Sequence, residues 1–73
     1  MVKIDNLTKT RIFNHKRYNL EATYRLKYDA EIIAKSLRRD GGDAKVVELK
    51  EPLKLKFGKD TERHKYAIYI WGY

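Results

Sequence analysis

The amino-acid sequence predicts an α+β fold in which a single helix packs on a small, mainly antiparallel sheet, and three observations predict it. Lys16 to Leu26 alternates without a break, with Tyr18, Leu20, Ala22, Tyr24 and Leu26 on one side and Arg17, Asn19, Glu21, Thr23 and Arg25 on the other. That is the period of a half-buried strand. At Asp29 the period lengthens: Ala30, Ile33, Ala34 and Leu37 recur at i, i+3, i+4 and i+7, an apolar helical stripe. Beyond Gly41-Gly42 strand patterns return, ending in Tyr66-Ala67-Ile68-Tyr69-Ile70-Trp71-Gly72-Tyr73. This last run is apolar on both faces, as a strand with a neighbour on each side would be.

Taken in order, residues 1–7 carry no clear pattern. Thr8 to Phe13 is rich in β-formers and Asn14-His15-Lys16 can turn the chain, so this segment and the alternating strand pair as a hairpin. The helix is predicted over 29–40. Asp29 is its N-cap, Glu31 complements the positive start, Arg38 and Arg39 complement the negative end, and Gly41-Gly42 terminates it. Ala44 to Leu49 is a strand. Pro52 then interrupts, and Leu53, Leu55 and Phe57 alternate with Lys54 and Lys56, either as a separate strand or as an extension of the one before. Residues 58–64 read as a polar loop.

The order is therefore β-β-α-β-(β)-β. A strand–helix–strand connection returns the chain parallel to its first strand, and placing the apolar terminal strand between the two gives it an antiparallel partner on each side. This is half of a ferredoxin-like fold. One helix covers one face of the sheet, so Ile68 and Ile70 are the expected partners of Ile33 and Leu37, and Tyr69, Trp71 and Tyr73 fall on the uncovered face.

Composition narrows the function. The 73 residues make one domain, 1–73, with 17 Lys+Arg against 10 Asp+Glu and a formal charge of +7. So short a chain buries only about 60% of the surface its unfolded form exposes, which leaves little room for an enclosed active site. No cysteine is present, which excludes disulfides, thiolate catalysis and cysteine-held metal centres. No apolar run is long enough to span a membrane or serve as a signal peptide, and a cytoplasmic protein is expected. Glutamine is absent, methionine occurs once and charged residues make up 37% of the chain, a drift typical of thermophiles. A thermal midpoint above about 80 °C is therefore expected, checked by a melt, and one tens of degrees lower would contradict the reading.

The positive charge is concentrated. Residues 1–39 hold ten Lys+Arg and four Asp+Glu, or +6, whereas residues 40–73 hold seven and six, or +1. Cations interleaved with aromatic rings suit nucleic acid, because rings stack on bases while Lys and Arg neutralise phosphates and release counterions. The expected surface is the open aromatic and basic sheet face together with the N-terminal hairpin, where residues 8–28 hold six Lys+Arg against Glu21 alone; its contact residues are Lys9, Arg11, Lys16, Arg17, Arg25, Lys27, Lys54, Lys56, Tyr69 and Trp71, with Lys45 extending the same surface. The competing reading is that the aromatic face is buried against an N-terminal segment, a second sheet or another copy of the chain, giving a homodimeric interaction protein.

Catalytic patterns are thin. His15 and His64, both in expected loops, have no spacing to a second metal ligand, and Ser36 sits mid-helix without a base. Asp43 with Glu48-Leu49-Lys50 has the residue types of a metal-dependent nuclease, but the odd spacing sends the two carboxylates to opposite faces of one strand. Neither a catalytic residue nor a metal, cofactor or small-molecule site is expected.

The stretch from Tyr28 to Val47, followed by Lys65 to Ile70, resembles small basic strand–helix–strand–strand proteins of hyperthermophilic archaea and their viruses or plasmids. Its helix–Gly–strand–strand portion is similar to part of the LAGLIDADG homing-endonuclease half-domain, whose sheet lies on DNA. The resemblance implies an archaeal or viral DNA-binding protein without cleavage, since the acidic LAGLIDADG helix is missing. The chain also resembles SPOR-like and ferredoxin-like half-units, which bind glycan or protein.

Overall fold

The structure, a computed structural model, describes residues 2–72; Tyr73, expected on the open sheet face, lies outside them. Among these residues the chain forms β1 (Val2–Ile4), β2 (Thr10–Phe13), β3 (Lys16–Tyr24), α1 (Lys27–Arg39), β4 (Asp43–Phe57) and β5 (Asp60–Trp71). The strands make one mixed sheet in the order β1-β4-β5-β3-β2, with the helix on one face, so the fold is α+β. The apolar strand β5 lies between β3 and β4 and is antiparallel to both. Strand β1 adds in parallel to β4 through Val2–Val47, Lys3–Glu48 and Ile4–Leu49. Three residues are too few to carry a visible period, which is why this element has no signature in the sequence.

The turns follow local chemistry. Asn14 and His15 both take left-handed backbone, φ 51° and 66°, the two-residue turn whose twist matches the strands it joins. The helix begins two residues before its expected start: Leu26 is the N-cap, without a side-chain bond, and Asp29 stands in the first turn, where its charge still meets the positive helix end. At the other end Asp40 is the C-cap and Gly41, at φ 104°, terminates the helix as its sequence predicts.

Each face of the sheet carries its own core. Under the helix, Ala30, Ala34, Ala44 and Ile68 are fully buried, ringed by Tyr24, Leu37, Val46, Tyr66 and Ile70. Alanines at the contact bring helix and sheet close, and Ile33 is left at the margin, 37% exposed, instead of filling the interface. On the other face Ile4, Tyr18, Val47, Leu49, Ala67 and Tyr69 form a second buried cluster, joined by Leu7, Phe13, Leu20 and Leu53. Ile4 belongs to one edge strand and Phe13 to the other, so the sheet curls around this cluster.

That second core corrects the expectation for β3. Leu20 pairs with Tyr69, but Ala22 pairs with Ile68: between them β3 advances two residues while β5 advances one. This bulge reverses the faces of the strand. Tyr18 and Leu20 thus point away from the helix, and only Ala22 and Tyr24 point toward it.

Strand β4 is continuous through Pro52. It advances from Glu48 to Leu53 while β5 moves only from Tyr66 to His64, and the proline, which has no N–H to donate, sits inside that irregularity. Residues 58–64 are not a loop. Gly58, at φ 63°, and Lys59 make a two-residue turn, and β5 starts at Asp60, paired with Phe57.

Candidate nucleic-acid interface

The outer part of β4 and β5 forms a two-stranded arm. Its pairs run Leu53–His64, Lys54–Arg63, Leu55–Glu62, Lys56–Thr61 and Phe57–Asp60. Alternation sorts them: Lys54, Lys56, Thr61 and Arg63 share one side, and Leu53, Leu55, Phe57, Asp60, Glu62 and His64 share the other. Lys54 stands directly opposite Arg63 and diagonal Lys56 completes the group, with Lys59 at the turn. All four cations are exposed and none forms an ion pair with a carboxylate among the described residues. Arg63 and Lys59 were not singled out by the sequence reading. The signal was there, in that a Gly58-Lys59 hairpin turn reflects Lys54 onto Arg63.

The expected aromatic and basic face is not assembled. Tyr69 is fully buried, because residues 5–9, which link β1 to β2, cross over it. Its hydroxyl donates to the Thr8 carbonyl at 2.6 Å and accepts from the Thr8 N–H at 3.3 Å. A ring so enclosed can neither stack on a base nor meet a second copy of the chain. Trp71 is 40% exposed and carries Lys16 over its ring, with Nζ 4.2 Å from the centroid. Arg17 pairs with Ile12, on the side away from Tyr18 and Trp71. Arg11 is half-buried and donates from Nη2 to the Asn6 carbonyl at 2.6 Å, which ties down the crossing segment. Lys9 lies just before β2, Arg25 in the bend after β3 and Lys27 at the first position of the helix, all exposed. Lys45 does lie beside Tyr69, but it is paired with Asp43 at 3.8 Å.

The sites of Trp71 and of the arm are far apart. Eight residues of β5 separate Trp71 from Arg63, about 26 Å at 3.3 Å per residue. The ten expected residues are therefore dispersed, and of the expected contacts Lys54 and Lys56 alone share a face with an opposed, unpaired cation.

Asp43 and Glu48 hold structure together. Asp43 pairs with Trp71 and Glu48 with Tyr66, with no register shift between them, so the two carboxylates stand on opposite faces. Glu48 is held below its ordinary pKa first by the Lys65 hydrogen bond and also by Lys3. Tyr18 donates its hydroxyl to Asp43, while Arg38 bonds the Ala44 carbonyl from Nε and Nη2, at 3.0 and 2.7 Å. The Tyr18 bond, then Lys45, the Ala44 N–H and Arg38, hold the Asp43 carboxyl below its ordinary value against the opposing effect of burial. Tyr18 is pushed up to about 12, first by that bond and then by burial.

The signs give a two-sided pH dependence. A lowered carboxyl contributes stability above its unfolded value, about 4, that is lost as the pH falls below it. A raised phenol contributes stability up to its unfolded value of 10.0 that is lost as the pH climbs toward about 12. Denaturant melts across pH should show both losses, and Tyr18→Phe should flatten both. An unchanged profile in that variant would remove the pair from the account of stability.

His64, expected as an exposed loop residue, is instead an internal strand residue with its side chain 15% exposed. Its Nδ1 lies 2.7 Å from Thr23 Oγ1 and its Nε2 2.9 Å from Glu62 Oε2, which fastens the root of the arm to β3. No group of three or more His, Asp or Glu among the described residues could hold a metal ion, and no described helix is long and apolar enough to cross a membrane.

The chain is thus an α+β protein, one helix on a curled five-stranded sheet, from which a cationic arm projects. No protein-family model matches it, and neither does any curated protein or solved structure.

Proposed function

We propose that this chain is a small non-enzymatic nucleic-acid-binding module whose contact surface is the cationic side of the β4–β5 arm. One observation carries the reading: Lys54 and Arg63 face each other across the strand pair, with Lys56 diagonal to them and no carboxylate partner among the described residues. Like charges directly opposed on a sheet are destabilising. A polyanion turns that repulsion into attraction, since each cation neutralises a phosphate and releases condensed counterions.

The test is a titration of labelled oligonucleotides across salt concentrations. For a duplex the logarithm of the binding constant should fall with log salt at a slope of about −2.7 to −3.6, set by three or four arm cations at about 0.9 each. Absence of binding at low salt would refute the proposal.

A further inference from the structure

We infer that the arm takes B-form duplex DNA and lies in its major groove, an inference that rests on the nucleic-acid reading above and narrows it to one polymer. Among the described residues the arm has no sheet neighbour on either side. Strand β1 pairs with β4 only through Val47, Glu48 and Leu49, and β3 pairs with β5 only as far as Tyr66, so the Leu53–His64 pair forms the root and the four pairs from Lys54–Arg63 to Phe57–Asp60 stand clear. Three steps of about 3.4 Å give the free ribbon a reach of about 10 Å, and its strands lie about 4.8 Å apart. The major groove of B-DNA is about 12 Å wide and 8.5 Å deep and admits a two-stranded ribbon. The root is braced where it must be, by the Thr23–His64 hydrogen bond.

The chemistry of the cationic side selects among nucleic acids. It presents Lys54, Lys56, Thr61 and Arg63, and no ring: Phe57 falls on the opposite side by alternation and Trp71 stands about 26 Å up the strand. Single strands are held by rings that stack on successive bases, and this surface offers none. Arg and Lys instead match the O6 and N7 acceptors of guanine in the major groove and the phosphates that flank it. Duplex RNA is disfavoured on shape, because the major groove of its A-form helix is too deep and narrow for side chains to read.

The experiment compares one labelled sequence as duplex DNA, as each single DNA strand and as duplex RNA, with methyl green as a major-groove competitor and netropsin as a minor-groove competitor. Duplex DNA should bind at least about tenfold tighter than the other three, a difference of about 1.4 kcal/mol. Methyl green should displace the protein and netropsin should not. Equal or tighter binding to a single strand or to duplex RNA, or displacement by netropsin, overturns the groove inference while leaving a nucleic-acid-binding protein. Failure to bind any of the four at low salt overturns the underlying reading as well.

Discussion

Lys54→Glu should stabilise the protein and weaken its nucleic-acid binding in the same variant. The substitution replaces a repulsion with a cross-strand ion pair to Arg63, directly opposite, and such a change is worth about 0.2–1 kcal/mol on an exposed strand pair. Binding moves the other way. Loss of one phosphate contact flattens the salt slope by about 1, and the new carboxylate repels the backbone, so affinity should fall by about tenfold or more at moderate salt. Lys35→Glu makes the same change in net charge on the exposed surface of the helix and should leave binding much closer to the parent. Thermal melts and salt titrations on the three proteins decide the matter. Equal weakening by both variants would show that net charge, and not the arm, governs binding.

Tyr69 gives the second large effect, and it falls on stability. Tyr69→Ala empties the centre of the concave core and should cost about 3–5 kcal/mol, the range for removing a buried ring. Tyr69→Phe keeps the ring, its edge contact with Phe13 included, but strips both hydrogen bonds from Thr8. Its cost should be about 1–3 kcal/mol, with faster amide exchange in residues 5–9 as that segment loosens. Neither bond touches the arm, so oligonucleotide affinity should be unchanged in Tyr69→Phe. Reduced affinity at unchanged stability would restore the ring to the binding surface and displace the present account.

The fold was largely legible in the sequence, and the candidate site only in part. The helix, the turn at Asn14-His15 and the apolar terminal strand each carry a local signal strong enough to survive into the structure: a period, a terminating glycine or a turn pair. The bulge between Leu20 and Ala22 has no such signal. An extra residue on one strand is defined only by what the partner strand does, so the unbroken alternation from Tyr18 to Leu26 looked like one face while serving two. Only half of the arm is legible, for a related reason: residues 53–57 alternate as a strand does, whereas residues 58–64 have the composition of a polar loop. Asp60 to Arg63 are exposed and need no buried side, so Asp60 to His64 is polar throughout and lacks the apolar alternation that marks a half-buried strand.

By itself the sequence determined that a small, strongly basic chain folds as one helix on a β-sheet, because period, capping and turn chemistry act between residues a few positions apart. Tertiary structure alone decided where the charge becomes available. The curl of the sheet seals Tyr69 beneath Thr8, 61 residues away in sequence, and turns Arg11 inward, whereas the opposition of Lys54 to Arg63 follows from the two-residue turn at Gly58-Lys59. The physical reason is that exposure depends on groups brought together over long stretches of chain, and no local pattern records which groups those will be.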